Sequence, residues 1–369
     1  MNRFPRRLGT AVAISSLVLL ASCGGSGGSG GSSEGADNDP TPSSTTAPAT
    51  QETKTDAVGP GEVATGEAVA SAGCGRTEVR SVVEEKTFVD DSDRWYLLTT
   101  PLAHDGETPV PLVLDFHGLS EGAVVHSQMS AMAPFAEDND FAVIMPEGMG
   151  TPVRWEIGLT PDENPDLQYT IDLLDQVENQ LCIDTSRIYS TGLSNGAFFS
   201  SVLGCSLSDR IAAIAPIAGV LFPESCTPER AVPMLGFHGT ADPILFYNGG
   251  VGTRLSEVLT NGPGAETTEA ELPEVDINGE GYPANVRAWA DANGCEPDPT
   301  GEELTDTVLR QTWDCPAEGT VEFLVLDGGG HSWPGSEFSK AIEDIVGPTD
   351  DLDANAELWA FFQRFRLPT

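Results

Sequence analysis

The stretch that decides the fold is "RIYSTGLSNGAFFSSVL", residues 187–203, in which a short apolar run is followed by a segment with helical spacing. The run predicts a buried β-strand, and Asn195 to Leu207 predict a helix. Between them, Gly192 to Gly196 fit the pattern G-x-S-x-G, whose small residues allow a serine to occupy a strained turn. Because 40 glycines make chance matches common, the position between strand and helix is what gives this match weight.

Short apolar runs recur along the chain and alternate with segments of helical spacing. Five further strands are predicted at 111–118, 141–148, 211–219, 232–239 and 320–330. The other predicted helices are 124–137, 165–180, 283–293 and 353–365, and 248–280 is predicted to be an insertion loop. Near-continuous apolar strands indicate an α/β fold with a mostly parallel central sheet and helices on both faces.

Four predicted strands end at candidate site residues, on the carboxyl edge where parallel sheets place their sites: His117-Gly118, Ser194, His238 to Asp242, and His331. A serine hydroxyl such as that of Ser194 needs a neighbouring base to become a nucleophile. Where a serine occupies a turn of this kind, an acid and then a histidine follow along the chain. Asp242 in "FHGTADP" and His331 in "GGGHSWPG" stand in that order, so we predict a triad of Ser194, Asp242 and His331.

Two alternatives to these partners carry less weight. His238 precedes the predicted acid and stands at a strand end, where a packing role in the turn is simpler. Asp327 is too close to His331 in sequence to approach its ring from behind. His104 and His126 have no motif around them, and the default for both is a satisfied surface or loop histidine.

The negative charge that develops on an attacked carbonyl needs hydrogen-bond donors already in place. The expected donors are the backbone N–H groups of Asn195, directly after the serine, and of Leu119, in the loop after an early strand. His117 is then expected to shape that loop. Trp333 and Trp155 are candidates for apolar walls of a substrate pocket, with core packing as the alternative for both.

At this point the chain resembles the polyhydroxybutyrate depolymerase-like and feruloyl esterase-like secreted α/β-hydrolases. The segments that carry the resemblance are LDFHG (114–118), GLSNGAF (192–198), IAPIAG (214–219), FHGTADP (237–243), WADANGC (289–295), GGGHSWPG (328–335) and ANAELWAFF (354–362). The resemblance implies an α/β-hydrolase fold and a serine carboxylic ester hydrolase that uses the predicted triad. One departure is that the polar segment before Asp166 lacks the paired aspartates expected there.

We predict from this resemblance an extracellular esterase that hydrolyses hydroxyalkanoate esters, of the 3-hydroxybutyrate oligomer type, through an acyl-enzyme intermediate without a cofactor. A feruloyl or acetylxylan esterase acting on plant polysaccharide is the alternative within enzymes. From a different class, the domain could be an inactive surface-binding module. No metal is expected, because helix capping explains the aspartates at 350, 351 and 353 better than a calcium site does.

The first residues predict export. Three arginines precede the apolar stretch from Leu8 to Leu20, and Leu20-Ala21-Ser22-Cys23 resembles the lipobox of bacterial lipoproteins. We therefore predict a signal peptide at 1–22, acylation of Cys23, and a cell-surface protein held to the membrane by that lipid alone. An ordinary secretory signal is the alternative. Residues 23–73 predict a flexible Gly/Ser/Thr/Pro-rich tether, and 74–369 the catalytic domain.

Charge and cysteine content narrow the partners further. The 57 acidic and 18 basic residues give a net charge of −39, which disfavours binding to nucleic acid or to anionic lipid. The expected partner is an ester substrate, and the protein is expected to be a monomer. Six cysteines besides Cys23 favour disulfides in an exported chain, with fifteen possible pairings. Closeness in sequence favours Cys205–Cys226 and Cys295–Cys315, which leaves Cys74–Cys182.

Overall fold

A single ten-stranded sheet lies at the centre of the computed structural model, which describes residues 64, 66–76, 85–89, 93–224, 226–252 and 272–368. The strands are β1 (Glu85–Phe88), β2 (Trp95–Thr99), β3 (Val110–Phe116), β4 (Ala142–Pro146), β5 (Ile183–Leu193), β6 (Ala213–Ile217), β7 (Met234–Gly239), β8 (Thr300–Glu303), β9 (Val308–Thr312) and β10 (Val321–Leu326). Their order across the sheet is β1-β2-β4-β3-β5-β6-β7-β10-β9-β8.

The central strands β4, β3, β5, β6, β7 and β10 are parallel, and the pairs toward the two edges are antiparallel. Every residue of β4, β6, β7 and β10 is buried, as expected for strands covered on both faces. Apolar clusters lie on each side of the sheet. This is the α/β-hydrolase fold, so the predicted fold class is confirmed.

Eight α-helices lie in the described part of the chain. They are α1 (Gly122–Ser130), α2 (Met132–Asp138), α3 (Pro165–Gln180), α4 (Asn195–Ser206), α5 (Tyr282–Ala292), α6 (Glu337–Ala341), α7 (Glu343–Val346) and α8 (Ala354–Phe362). α3 and α8 begin as their sequences predict, because the side chain of Asn164 accepts hydrogen bonds at the start of α3 and that of Asp353 accepts one from Ala356 N–H.

The single helix predicted at 124–137 is instead two helices. Ala131 has a left-handed conformation, with φ 47°, and separates α1 from α2. Pro134 explains the break, because proline has no N–H to donate to the carbonyl of Ser130 in a continuous helix. That carbonyl accepts a hydrogen bond of 2.8 Å from the Asn355 side chain instead.

The four antiparallel strands were not predicted. β8 has the sequence TGEE and is exposed throughout, so no apolar alternation marks it. β1, β2 and β9 are four or five residues long and lie at or next to a sheet edge. None of the helices in the described ranges combines the length and the apolar character needed to cross a membrane.

The structure contains the three predicted disulfides, Cys74–Cys182, Cys205–Cys226 and Cys295–Cys315. The first links the start of the domain to the residue before β5. The second links the end of α4 to the loop that follows it, and the third links the segment after α5 to the segment after β9.

The domain begins earlier than the predicted boundary at Cys74. Residues 66–73 lie along α3 and β5, and Ser71 Oγ donates to the Leu181 carbonyl at 2.6 Å and accepts from Ile183 N–H at 3.0 Å. A serine fixed on both sides in this way belongs to the folded domain. The predicted signal peptide, Cys23 and the tether up to residue 63 lie outside the described residues, as do residues 253–271 of the predicted insertion loop.

Candidate active site

Ser194 occupies a sharp turn between β5 and α4, with φ 57° and ψ −116°. Such angles are costly for a residue other than glycine, and the surrounding structure must hold them. A Cβ at Gly192 would lie 2.5 Å from the Phe116 carbonyl oxygen, and one at Gly196 would lie 2.0 Å from the same atom. The glycines of the G-x-S-x-G pattern are therefore required by the close approach of β3 to this turn.

Asp242 and His331 form a buried pair, with 2.7 Å between the Asp242 Oδ2 and His331 Nδ1 atoms. The other carboxylate oxygen accepts from the N–H groups of Ile244 and Leu245, each at 2.8 Å. Burial alone would raise the pKa of Asp242, but His331 and the hydrogen bonds from neighbouring imidazoles outweigh burial and hold this pKa below its usual range. An ionised Asp242 accepts a hydrogen bond from Nδ1 of His331. The proton therefore stays on Nδ1, and Nε2 is the nitrogen that is left to act as a base.

The glycines before His331 allow its loop to pass between two other segments. A Cβ at Gly330 would lie 2.3 Å from the Val346 carbonyl oxygen. His331 N–H donates to that same carbonyl at 2.6 Å, which fixes the start of the loop. On the other side, a Cβ at Gly239 would lie 2.1 Å from the carbonyl of Gly329. Close packing thus holds the histidine loop against the turn that carries Asp242.

The alternative acid and base have other roles. His238 is buried, and its Nε2 lies 3.0 Å from the Leu245 carbonyl and 3.3 Å from Asp242 Oδ2, so it supports the acid from behind. Its ring stacks on Tyr282 with 3.9 Å between centroids. Asp327 is exposed and accepts from the Thr240 hydroxyl. Neither residue competes with the Asp242–His331 pair.

All three predicted triad residues follow parallel strands at the same edge of the sheet. Ser194 follows β5, Asp242 follows β7 and His331 follows β10, and β6 lies between β5 and β7. Within the described residues, the Ser194 hydroxyl makes no hydrogen bond to His331. Contacts between a nucleophile and its base often shorten only when substrate binds.

The two predicted oxyanion donors, Leu119 and Asn195, have backbone N–H groups that make no hydrogen bond among the described residues. The N–H of Gly118 donates to Glu121 at 2.5 Å and that of Ser120 to the Val153 carbonyl at 2.8 Å. Between them, the Leu119 N–H has no acceptor among the described residues. The same holds for Asn195 N–H in the first turn of α4, where helices leave donors unpaired. A Cβ at Gly118 would lie 3.6 Å from Ser194 Cβ, so this loop borders the serine.

His117 shapes the loop, as predicted. Its Nε2 accepts from Gly148 N–H at 2.9 Å, and its Nδ1 donates to the Gly118 carbonyl at 2.7 Å. Burial lowers the pKa of His117 to about 4, so the ring is neutral at physiological pH. A neutral ring is what these two hydrogen bonds require, since one nitrogen accepts and the other donates.

The two tryptophans predicted to line a substrate pocket are core residues instead. Trp155 is 1% exposed and packs against Phe116 and Phe199, with ring centroids 5.1 Å apart in both pairs. Trp333 is also 1% exposed, and its Nε1 donates to Asn355 at 3.0 Å. Both indole rings therefore pack in the core and do not form the wall of a pocket.

Sequence reasoning missed a charged cluster beside the site. His126 is fully buried, with its Nε2 2.7 Å from Asp115 Oδ1 and its Nδ1 3.2 Å from Glu121 Oε2. Burial lowers the pKa of His126, but the two carboxylates outweigh burial and raise this pKa to about 10. Such a pKa favours the imidazolium form of His126, and the expectation of a satisfied surface or loop histidine was wrong. A histidine five residues after a glutamate is too common a pattern to have indicated this.

A cavity of about 850 Å³ lies beside α3. It contains the Arg94–Asp166 ion pair, with 2.6 Å between the charged atoms, and none of the triad residues. Across the residues described, no group of three or more His, Cys, Asp or Glu side chains is arranged to hold a metal ion.

Comparison with known proteins shows similarity to esterases. Feruloyl esterase B of Piromyces equi is 30% identical over 249 residues, which are 65% of this chain and 42% of that protein. The bifunctional acetylxylan esterase/xylanase XynS20E of Neocallimastix patriciarum is 25% identical over 61% of this chain and 34% of that protein. The chain therefore spans less than half the length of these two curated relatives.

Among solved structures, an acetyl xylan esterase from Aspergillus awamori has a TM-score of 0.47 at 12% identity, covering 71% of this chain and 97% of that chain. No family model matches the chain. About two thirds of the chain is thus similar in sequence to proteins named as esterases.

Proposed function

We propose that this protein is a serine carboxylic ester hydrolase that works through an acyl-enzyme intermediate. The observation that carries the proposal is that the strained Ser194 turn and the buried Asp242–His331 pair follow strands at one edge of the same sheet. The similarity to named esterases supports it.

In the proposed reaction, Ser194 Oγ attacks the ester carbonyl carbon while His331 Nε2 takes the hydroxyl proton. The N–H groups of Leu119 and Asn195 stabilise the negative charge on the carbonyl oxygen. The tetrahedral intermediate then collapses, and the imidazolium returns the proton to the leaving alcohol. A water molecule repeats these steps on the acyl-enzyme and releases the acid. Asp242 stays ionised and stabilises the charged imidazole.

For the substrate, the relatives favour the alternative stated above over hydroxyalkanoate oligomers. Both curated relatives carry names that refer to feruloyl or acetylxylan esters. We therefore propose aryl or acetyl esters of plant polysaccharide as the substrate class. Hydrolysis of methyl ferulate, acetylated xylan and 3-hydroxybutyrate oligomers, measured side by side, tests this choice. Higher kcat/KM on the oligomers than on both plant esters would reverse it.

Replacement of the serine tests the reaction itself. Ser194→Ala is expected to abolish hydrolysis of short nitrophenyl esters and labelling by a fluorophosphonate, while the melting temperature stays close to wild type. Ser206→Ala, in the last turn of α4, is the matched control and is expected to keep both. Failure of the wild-type protein to react with the probe would favour the binding-module alternative.

We also propose that the protein is exported and held at the cell surface by a lipid on Cys23. The motif at residues 20–23 supports this proposal, and the three disulfides agree with an oxidising compartment. Cys23→Ser is expected to move the protein from the membrane fraction to the medium. Retention in the membrane fraction would refute the anchor.

A further inference from the structure

Glu121 connects the buried cluster of Asp115, His126 and Glu121 to the loop at residues 117–121, named here the Gly118 loop. Its Oε2 accepts from Gly118 N–H at 2.5 Å and also faces His126 Nδ1 at 3.2 Å. Glu121 stands directly before α1 but makes no hydrogen bond to the N-terminus of that helix. Its carboxylate therefore makes hydrogen bonds to the Gly118 loop and to His126, and none to the first turn of α1.

The same cluster contacts the loop of the proposed base. The rings of His126 and Trp333 meet nearly at right angles, with 5.6 Å between centroids. Trp333 follows His331 by two residues, and its indole N–H is fixed by Asn355. His126 therefore lies between the segment that carries the Leu119 donor and the segment that carries His331.

Packing alone does not explain a charged group of this kind. Three titratable side chains lie together in the interior, and burial of charge is costly. Asp115 Oδ2 and Glu121 Oε1 are buried without a hydrogen-bond partner among the described residues. Apolar side chains would fill the same space at lower cost, but they could not accept the Gly118 N–H. The hydrogen bond to Gly118 N–H is therefore what this cluster provides and apolar packing would not.

We propose that Asp115, His126 and Glu121 are positioning residues that hold the Gly118 loop so that Leu119 N–H is in place for the oxyanion. The catalytic part of this proposal rests on the proposed esterase function. Asp115 holds His126 from β3, His126 holds Glu121, and Glu121 holds Gly118 N–H. Because Gly118 adjoins Leu119 and borders Ser194, loss of this hydrogen bond would release the donor from its position.

The first test is hydrogen exchange, which does not depend on activity. Glu121→Gln keeps the shape of the side chain but removes its negative charge. The neutral amide oxygen is a weaker acceptor for Gly118 N–H and for His126 than the carboxylate oxygen is. The Gly118 amide is expected to exchange about tenfold faster, as loss of a charged acceptor predicts. The matched control is Glu147→Gln, because the Glu147 carboxylate accepts from Ala123 N–H in the first turn of α1 at 2.7 Å and makes no hydrogen bond to Gly118 or Leu119 among the described residues. It is expected to leave Gly118 exchange unchanged.

The second test is steady-state hydrolysis of a nitrophenyl ester by the same variants. Glu121→Gln is expected to lower kcat about ten- to a hundredfold with KM within about twofold, as misplacement of a transition-state donor predicts. Glu147→Gln is expected to keep kcat within about twofold. Unchanged Gly118 exchange in Glu121→Gln, or equal losses of kcat in both variants, would overturn the proposal. If Gly118 exchange rises while the wild-type protein hydrolyses no ester, the esterase function fails and the positioning of the loop stands.

Discussion

The Nδ1 atom of His331 lies 2.7 Å from the Oδ2 atom of Asp242, although 89 residues separate them in sequence. β7 and β10 are neighbours in the sheet and run parallel, so the loops that follow them begin side by side. The close approach of Gly239 to Gly329 and Gly330 then leaves little freedom in how the two loops meet. A pair fixed so firmly is suited to holding one tautomer and one orientation of the imidazole.

Asp242→Asn is therefore expected to lower kcat by about 10⁴-fold, because the amide no longer stabilises the imidazolium. The measurement is kcat for a nitrophenyl ester, with the circular dichroism spectrum as a check of folding. Asp327→Asn changes an exposed carboxylate that follows β10 and accepts from Thr240, and serves as the control. If both substitutions reduced kcat to the same extent, Asp242 would lose its assigned role.

The Ser194 turn should tolerate no side chain at Gly196. In Gly196→Ala, the new methyl group would lie 2.0 Å from the carbonyl oxygen of Phe116, so backbone must move. We expect a loss of about 1–3 kcal/mol in the free energy of unfolding, together with loss of activity. Urea denaturation measures the first quantity. Gly158→Ala meets no atom closer than 3.7 Å and is expected to change the free energy of unfolding by less than about 0.5 kcal/mol. A neutral Gly196→Ala would contradict this account.

The central sheet could be predicted because local sequence determines it, and the same local patterns place the proposed triad residues after three of its strands. The strands that end near Ser194, Asp242 and His331 are buried over all or most of their length, as expected for strands covered on both faces. The glycines around them mark close backbone approaches that a larger residue would block. The order Ser, Asp, His along the chain then identifies the candidate acid and base, although the sequence contains no distances.

Other features depend on contacts that no local pattern contains. The role of His126 follows from Asp115, eleven residues away and on another element. The tryptophans were predicted to line a pocket because composition shows that a residue is apolar but not whether it faces a cavity or the core. β9 is held by pairing with β10 and β8 by pairing with β9, and both carry little apolar alternation of their own.

The Asn195 side chain is expected to stabilise the site beyond the role of its backbone. Its Oδ1 accepts from the Trp155 N–H at 2.7 Å, and its Nδ2 donates to the Trp155 carbonyl at 3.1 Å. Because Trp155 is buried, Asn195→Ala leaves both groups unpaired, and we expect a loss of about 1–3 kcal/mol in unfolding free energy. Asn179→Ala, on the exposed face of α3, is the control and should be close to neutral. A similar loss in both variants, measured by urea denaturation, would refute the specific role of Asn195.

The disulfides should differ in their contributions to stability. Cys74–Cys182 has a sequence separation of 108 residues, whereas Cys295–Cys315 has one of 20. Chain entropy predicts losses of about 4.7 and about 3 kcal/mol when each pair is replaced by serines. The midpoints of urea unfolding for the two double variants test the order. A smaller loss for the longer loop would show that native contacts, and not the unfolded chain, determine the effect.

The buried cluster also predicts how stability depends on pH. The pKa of His126 is about 10 in the folded protein, compared with an ordinary value of 6.5. A group with a raised folded pKa stabilises the fold fully below its unfolded pKa, and this contribution is lost as pH rises toward about 10. We expect the free energy of unfolding to fall by about 2–3 kcal/mol between pH 6.5 and about pH 9 from this group.

Urea unfolding of wild type and Glu121→Gln across this range isolates the effect of the cluster. Removal of one carboxylate brings the pKa of His126 closer to its ordinary value, so the variant should lose less stability as pH rises. Other charges contribute equally to both proteins, and burial raises the pKa of Tyr169, so that its ionisation lies above this range. Parallel pH profiles would mean that His126 is not held as an imidazolium by Glu121.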